Sequence, residues 1–185
     1  MIKRVSQFSF LAVAFSVLAG CASYSISEQD MTEYLQESVE INQSVGVENM
    51  MYAQVAVEDL QVKIGRADAD RVSVFANTNA QVQVFNMQNV GLDLDIEFSA
   101  IPEYDKESGE VYLKSLRLEN FNESGKQLPE NIANLLQPAI SMIGLALSQQ
   151  PVYKLDGAKV QEALLKSAEP NLVIQNNKLV IELFD

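Results

Sequence analysis

Hydrophobic residues along this chain follow three rhythms. Near the start, Phe8–Leu18 is an apolar block interrupted only by Ser9 and Ser16. Met31, Tyr34 and Leu35 then recur at helical spacing behind Ser27 and Asp30, a weaker form of the capping box, predicting a helix through about Val39. Gly46 is expected to break the chain, and alternation follows it. Tyr52–Glu58 places Ala53, Val55 and Val57 on one face, whereas Leu60, Val62 and Ile64 continue in the opposite phase, so a bulge or bend is expected near Asp59. Gly65–Arg71 reads as a polar turn. Val72, Val74 and Ala76 begin another strand, which Val82 and Val84 either extend or follow with a new one. In Val90–Ala100 the alternation is cleanest: Leu92, Leu94, Ile96, Phe98 and Ala100 interleave with Asp93, Asp95, Glu97 and Ser99, the pattern of an antiparallel sheet with one wet face. Pro102–Gly109 reads as a charged turn, and Val111–Glu119 as a strand whose phase changes between Leu113 and Leu116.

From Asn131 to Tyr153 there is no charged residue at all. Pro129 with Glu130 marks a helix start, proline being tolerated in the first turn, and the helix is expected to run over Pro129–Gln149. On a helical wheel Ile132, Leu135, Leu136, Ala139, Ile140, Ile143, Ala146 and Leu147 share one wide face. The opposite stripe is Asn134, Gln137, Ser141, Gly144 and Ser148, polar or small but uncharged, and Met142 and Leu145 spread apolar surface further round. Pro138 is expected to kink or locally break the helix. Polar residues throughout argue against a membrane span, and the missing Lys and Arg argue against a membrane-surface helix, so burial inside a sheet is the expectation. Two readings stay open: a core helix that fills its sheet, or a helix lining a cavity for an apolar ligand through Ile132, Leu136, Ile140, Ile143 and Leu147. Beyond it come a short strand at Pro151–Leu155, a helix over Ala158–Ala168 capped by Asp156, and a hairpin of Leu172–Gln175 and Leu179–Phe184 turning at Asn176-Asn177.

Composition narrows the chemistry. The 185 residues suit one domain with a real core, and apolar residues make up 48%. Removal of the first 20 residues, which carry Lys3 and Arg4, leaves 11 bases against 25 acids, a net charge of −14. Such a charge repels nucleic acid and anionic headgroups. There is no histidine, and Cys21 is the sole cysteine. Ser–His and Cys–His pairs, the usual zinc sites and an intramolecular disulfide are therefore ruled out. The chain is expected to be no enzyme, with no cofactor and no metal.

The first 21 residues combine a basic start, the apolar block and Leu18-Ala19-Gly20-Cys21, which resembles the bacterial lipobox. That resemblance implies cleavage before Cys21, recognition through Leu18, Ala19 and Gly20, and lipidation of the Cys21 thiol. Ala22, rather than aspartate, implies export to the outer membrane. The expected organisation is a signal peptide over residues 1–20, a lipidated cysteine and short tether over 21–25, and one domain over 26–185.

Other candidate sites have plain explanations. Asp93, Asp95 and Glu97 are the wet face of a strand before they are metal ligands. Asp68 and Asp70 lack the glycine and distal glutamate of a calcium loop. Asn122-Glu123-Ser124 matches a glycosylation acceptor that a bacterial envelope protein would seldom use. Glu103 and Asp105 are the carboxylate pair on which an enzyme would rest, but they fall in an exposed turn, where a raised pKa is not expected.

Several short motifs carry a family resemblance: Tyr24-Ser25-Ile26-Ser27-Glu28-Gln29, Ile64-Gly65-Arg66, Ala100-Ile101-Pro102-Glu103-Tyr104-Asp105-Lys106 with Gly109, Val111-Tyr112-Leu113-Lys114 and Gln149-Gln150-Pro151-Val152-Tyr153. With these the chain resembles the YceB-like envelope lipoproteins of Gram-negative bacteria from Cys21 onward. The resemblance implies a tubular lipid-binding (TULIP-like) fold: an α+β domain whose strongly curved antiparallel sheet wraps one long apolar helix, with short N- and C-terminal helices. It implies no catalytic residue. The expected role is a lipid-anchored protein on the periplasmic face of the outer membrane that binds a lipid or other hydrophobic molecule. The alternative is an interaction or scaffold lipoprotein with a filled core and a protein partner that the sequence does not name.

Overall fold

The computed structural model describes residues 23–48, 50–84, 89–159, 162 and 171–182. The signal segment, Leu18, Ala19, Gly20 and Cys21 lie outside them. The described chain runs β1 (Ser23–Ser27), α1 (Glu28–Ser38), β2 (Asn42–Val47), β3 (Met51–Ile64), β4 (Val72–Val84), β5 (Val90–Asp105), β6 (Glu110–Glu123), α2 (Glu130–Gln149), β7 (Pro151–Lys154), β8 (Asn171–Gln175) and β9 (Lys178–Glu182). Strands β2 to β7 form one antiparallel sheet in sequence order, curled into a half-barrel, and a smaller sheet has the order β1-β9-β8.

The curl has local causes. Opposite β4, the register of β3 jumps between Val57 and Asp59, so Glu58 is the extra residue of a bulge, at the place where the hydrophobic phase inverts. β6 bulges twice against β5, at Ser115-Leu116 and at Glu119, and Ser115 takes a φ of 50°. Each bulge bends its strand and increases the local twist, which turns a long sheet into a trough. Inside the trough, Ala53, Val55, Leu60, Val62, Val74, Ala76, Ile96, Phe98 and Leu113 are buried in a single core with α2.

Helix α2 packs against β6 and β7 on one side of the trough and β2 and β3 on the other. It buries Leu136, Ala139, Ile140, Ile143, Gly144 and Leu147. Burial of the four Leu and Ile side chains contributes roughly 6–12 kcal/mol before conformational entropy is counted. The expected wrapping does not extend round the helix. Asn134, Gln137, Pro138, Ser141, Met142 and Leu145 are exposed, Leu145 at 59%. A half-barrel has walls on one side only, so α2 closes its mouth and turns its uncharged stripe outward. Pro138 lies on that outer face, and the helix runs unbroken across it.

Helix α1 begins with the expected capping box: the Asp30 amide donates to Ser27 Oγ at 3.1 Å, and the Ser27 amide donates to Asp30 Oδ2 at 2.8 Å. Met31 and Leu35 are buried, while Tyr34 is half-buried. Beyond Ala56, β3 has no β2 partner, and α1 covers this open edge. Gln36 Nε2 donates to the Leu60 carbonyl (2.9 Å), the Val62 amide donates to Thr32 Oγ1 (2.9 Å), and the Ile64 amide donates to Glu28 Oε1 (2.8 Å). Four helical residues rise about 6 Å and two strand residues about 6.8 Å, so positions 28, 32 and 36 meet 64, 62 and 60 in turn. One helix face thus replaces a strand.

Several expected boundaries move. Gly46 does not break the chain: it lies within β2 at φ 92°, where an added Cβ would stand 2.0 Å from the Met51 carbonyl oxygen. β2 reads Asn-Gln-Ser-Val-Gly-Val, too polar to alternate visibly. β5 continues through Pro102 to Asp105. β4 begins opposite Ala100, at Val72, so Pro102 has a strand neighbour on one side only and its missing N–H costs little. Val72 to Val84 is one strand, and β6 reaches Glu123. Ser23–Ser25, expected as tether, pairs with β9 as part of β1. The Asn176-Asn177 hairpin forms as expected, with φ of 51° and 58°. Most of the helix expected at Ala158–Ala168 lies outside the described residues. At its start the Ala158 amide donates to Asp156 Oδ1 at 2.9 Å.

Candidate functional site: a cleft beside α2

A cleft of about 500 Å³ runs along one flank of α2. The helix contributes Ser141, Gly144, Leu145, Ser148 and Gln149, β5 contributes Phe98, and β6 contributes Lys114, Ser115, Leu116 and Leu118. The Ser115-Leu116 bulge builds this wall. Ahead of it Val111 and Leu113 point into the core, and beyond it the inversion brings Leu116 and Leu118 to the cleft. Gly144 deepens the floor, where an added Cβ would stand 3.0 Å from Phe98 Cε1.

The bulge is held by a buried arginine. Arg71, 6% exposed, donates from Nη2 to the carbonyls of Ser115 (2.9 Å) and Ser99 (3.0 Å), and from Nε to Ser99 Oγ (2.9 Å). Ser99 Oγ in turn donates to Glu119. The polar turn therefore ends in a core residue, which its composition did not reveal.

The helix residues that the sequence marks as lining a ligand cavity do not line this cleft. Leu136, Ile140, Ile143 and Leu147 are fully buried in the core, and Ile132 is half-buried against it. The cleft lies on the neighbouring stripe of Ser141, Gly144 and Ser148. Two signals marked it in the sequence, that uncharged stripe and the phase change after Leu113, but neither shows that the two elements meet. A second cleft, of about 430 Å³, flanks α2 on the β2 side and is lined by Ser38, Val39, Glu40, Ile41, Gln43, Ala146 and Gln150.

At the Gln149 end of the first cleft, Lys114 Nζ lies 5.0 Å from the centroid of the Tyr112 ring. The Tyr112 hydroxyl donates to Glu110 Oε2 at 2.6 Å, and Lys154 Nζ donates to Glu110 Oε1 at 2.6 Å. Chiefly through Lys154, and then Tyr112, the Glu110 carboxyl is pulled down to about 2. Nearby, Tyr24 donates to Glu162 Oε1 (2.8 Å) and its oxygen lies 2.7 Å from the Tyr153 hydroxyl, joining β1 to β7. Burial first, then these partners, push the Tyr24 phenol far above its ordinary range.

The remaining candidates stand apart. Asp95 and Glu97 border a recess of about 340 Å³ with Phe75, Ile96, Asn77, Asn120 and Asn122, while Asp93 accepts from Asn79 Nδ2 at 3.2 Å. Among the described residues no three Asp, Glu, Cys or His side chains gather as a metal-binding group. Asp68 and Asp70 are exposed. Glu103 is exposed, and Asp105 lies below its ordinary range because the Glu107 amide and the Ser108 hydroxyl donate to it.

Among known proteins, residues 26–178 match the family model described as a protein of unknown function, DUF1439. The chain is 25% identical to the uncharacterized lipoprotein YceB of Escherichia coli K12 over 193 aligned positions, covering 98% of this chain and all of that one. It is 24% identical to the Salmonella typhimurium protein of the same name, covering 96% of this chain and 98% of that one. Its structure is similar to a crystal structure of lipopolysaccharide binding protein at a TM-score of 0.33 and 12% identity, covering 89% of this chain and spanning 50% of that protein's length. The chain belongs to the DUF1439 family and is similar, over nearly its whole length, to the YceB lipoproteins.

Proposed function

We propose that this protein is a Gram-negative envelope lipoprotein, lipidated on Cys21 and held at the periplasmic face of the outer membrane, that binds a lipid or similar hydrophobic molecule without catalysing a reaction. The cleft beside α2 carries the reading. Its volume of about 500 Å³ is that of small-molecule sites, typically about 300–1,000 Å³. Leu116, Leu118 and Leu145 offer apolar surface there above the buried Phe98 ring, and burial against them is worth roughly 25 cal/mol per Å². The names of the relatives and the Leu18-Ala19-Gly20-Cys21 motif support the anchor, and Ala22 supports outer-membrane sorting. Two or three acyl chains, at about 0.8 kcal/mol per buried CH₂, make attachment effectively permanent.

The test uses the mature chain carrying Cys21→Ser and made without acyl groups; among the described residues the buried core begins at Ile26, with Tyr24 packed against it, and both stay in that chain. Native mass spectrometry is expected to show a bound small molecule, or uptake of a fluorescent fatty acid. A clean apo mass with no uptake overturns ligand binding. Radiolabelled palmitate incorporation that survives Cys21→Ala overturns the anchor. A scaffold role is the second reading, favoured by the full burial of Leu136, Ile140, Ile143 and Leu147. It predicts an apo mass together with a crosslinked partner.

A further inference from the structure

We infer that the cleft takes a single-chain amphiphile whose anionic head lies at Lys114 and whose alkyl chain runs toward Leu118; this rests on reading the cleft as a ligand site. The cleft has a direction. α2 passes through Gln149 into β7, where Pro151 pairs with Tyr112, so Ser148 and Gln149 lie beside Lys114 and Ser115. Ser141, two turns back along the helix, lies toward Leu118. Phe98, Leu116, Gly144 and Leu145 occupy the stretch between.

The polar end offers donors. Ser141 Oγ donates to the Gln137 carbonyl (2.8 Å) and Ser148 Oγ to the Leu145 carbonyl (2.7 Å), so neither hydroxyl proton is available to a ligand. The Lys114 ammonium, the Gln149 amide and the Ser115 hydroxyl remain. Among the described residues no carboxylate lines the cleft, although acids outnumber bases 25 to 13 in the chain. Among the described residues Lys114 Nζ has an aromatic face and no ion-pair partner, Glu110 being engaged by Lys154 and Tyr112. The C-terminus of α2 opposes an anion with about half a unit of negative charge, which the full charge of Lys114 outweighs. About 500 Å³ holds roughly sixteen water-sized groups of about 30 Å³ each, enough for one alkyl chain and a small head. A second chain would stay in solvent.

Competition against a dansyl-labelled fatty acid on the unacylated Cys21→Ser chain tests this. A fatty acid and an alkyl sulfate of equal length are expected to displace the probe, the matching alcohol to compete about tenfold more weakly, and the alkyltrimethylammonium ion more weakly still. Lys114→Gln is expected to erase the difference between acid and alcohol while leaving the alcohol unchanged. Gly144→Leu and, independently, Ser141→Phe are expected to abolish displaceable binding without loss of the far-ultraviolet spectrum. Equal competition by acid, alcohol and ammonium, or an unaltered Lys114→Gln, overturns the head assignment and leaves the ligand site standing. Binding that survives both blocking variants overturns the location. A wild-type chain that binds none of the probes overturns the ligand site itself.

Discussion

Arg71 Nη2 donates a 2.9 Å hydrogen bond to the carbonyl oxygen of Ser115, linking the end of a surface turn to a bulge two strands away. In a bulge one strand offers two residues where its neighbour offers one, so a peptide group loses its ladder partner. The guanidinium meets that need and anchors itself on Ser99 with two further donors. Arg71→Met keeps the volume and strands the carbonyls of Ser115 and Ser99, at about 1–3 kcal/mol for each unsatisfied group. The expected loss is about 3 kcal/mol, or roughly 6–12 °C in Tm for a chain of this size. Arg71→Lys is expected to recover less than half, because one ammonium does not reproduce the fork. Denaturant unfolding at neutral pH measures both.

Thr32→Val tests whether α1 stands in for a strand. The substitution is nearly isosteric and leaves the Val62 amide without its acceptor on the edge of β3 that α1 covers. The cost should be about 1–2 kcal/mol, and the readout is local. Hydrogen exchange at Val62 should accelerate while exchange at Val74, inside the sheet, follows only the change in global stability. Equal acceleration at both sites would show that the helix contributes general packing rather than edge hydrogen bonds.

Glu110 gives the fold a dependence on pH. Its carboxyl is lowered from an ordinary 4.5 to about 2, first by Lys154 and then by Tyr112. A depressed acid stabilises the folded state above its unfolded pKa, and that contribution fades as the pH falls from about 4.5 toward 2. Lys154 is half exposed, so solvent screens the pair and keeps its contribution small. The difference in stability between wild type and Glu110→Gln should be largest above pH 5 and shrink steadily toward pH 2. A difference that grows on acidification would reverse the sign of the coupling.

Much of this architecture is legible in the chain because the causes are local. The phase inversion at Leu60 announces the Glu58 bulge, the step between Leu113 and Leu116 announces the one at Ser115, and Ser27 with Asp30 announces α1. What remained hidden depends on distant partners. β2 is a strand because β3 supplies its ladder, not because Asn42–Val47 alternates. Arg71 looks like turn polarity until Ser115 is known to lie beside it. The helix is the least legible element. Its apolar face is as greasy as a ligand site and is spent on the core, so the cleft falls to the small polar stripe whose neighbours come from β5 and β6.

Two glycine substitutions separate backbone strain from cleft shape. Gly46→Ala drives a Cβ to 2.0 Å from the Met51 carbonyl oxygen at a φ of 92°, and neither strand can yield without breaking the hairpin. A loss of more than about 2 kcal/mol is expected. Gly144→Ala meets Phe98 Cε1 at 3.0 Å, but Phe98 borders open cleft volume and its ring has room to shift by a few tenths of an ångström. Against that small strain stands the gain of alanine over glycine inside a helix, about 1 kcal/mol. Helix propensity should win, and the variant should be as stable as wild type or up to about 1 kcal/mol more stable in denaturant unfolding. The displaced ring narrows the cleft, so fatty-acid uptake should weaken while stability holds. A Gly144→Ala chain that loses stability would instead mean that Phe98 is clamped, with the cleft wall rigid at that point.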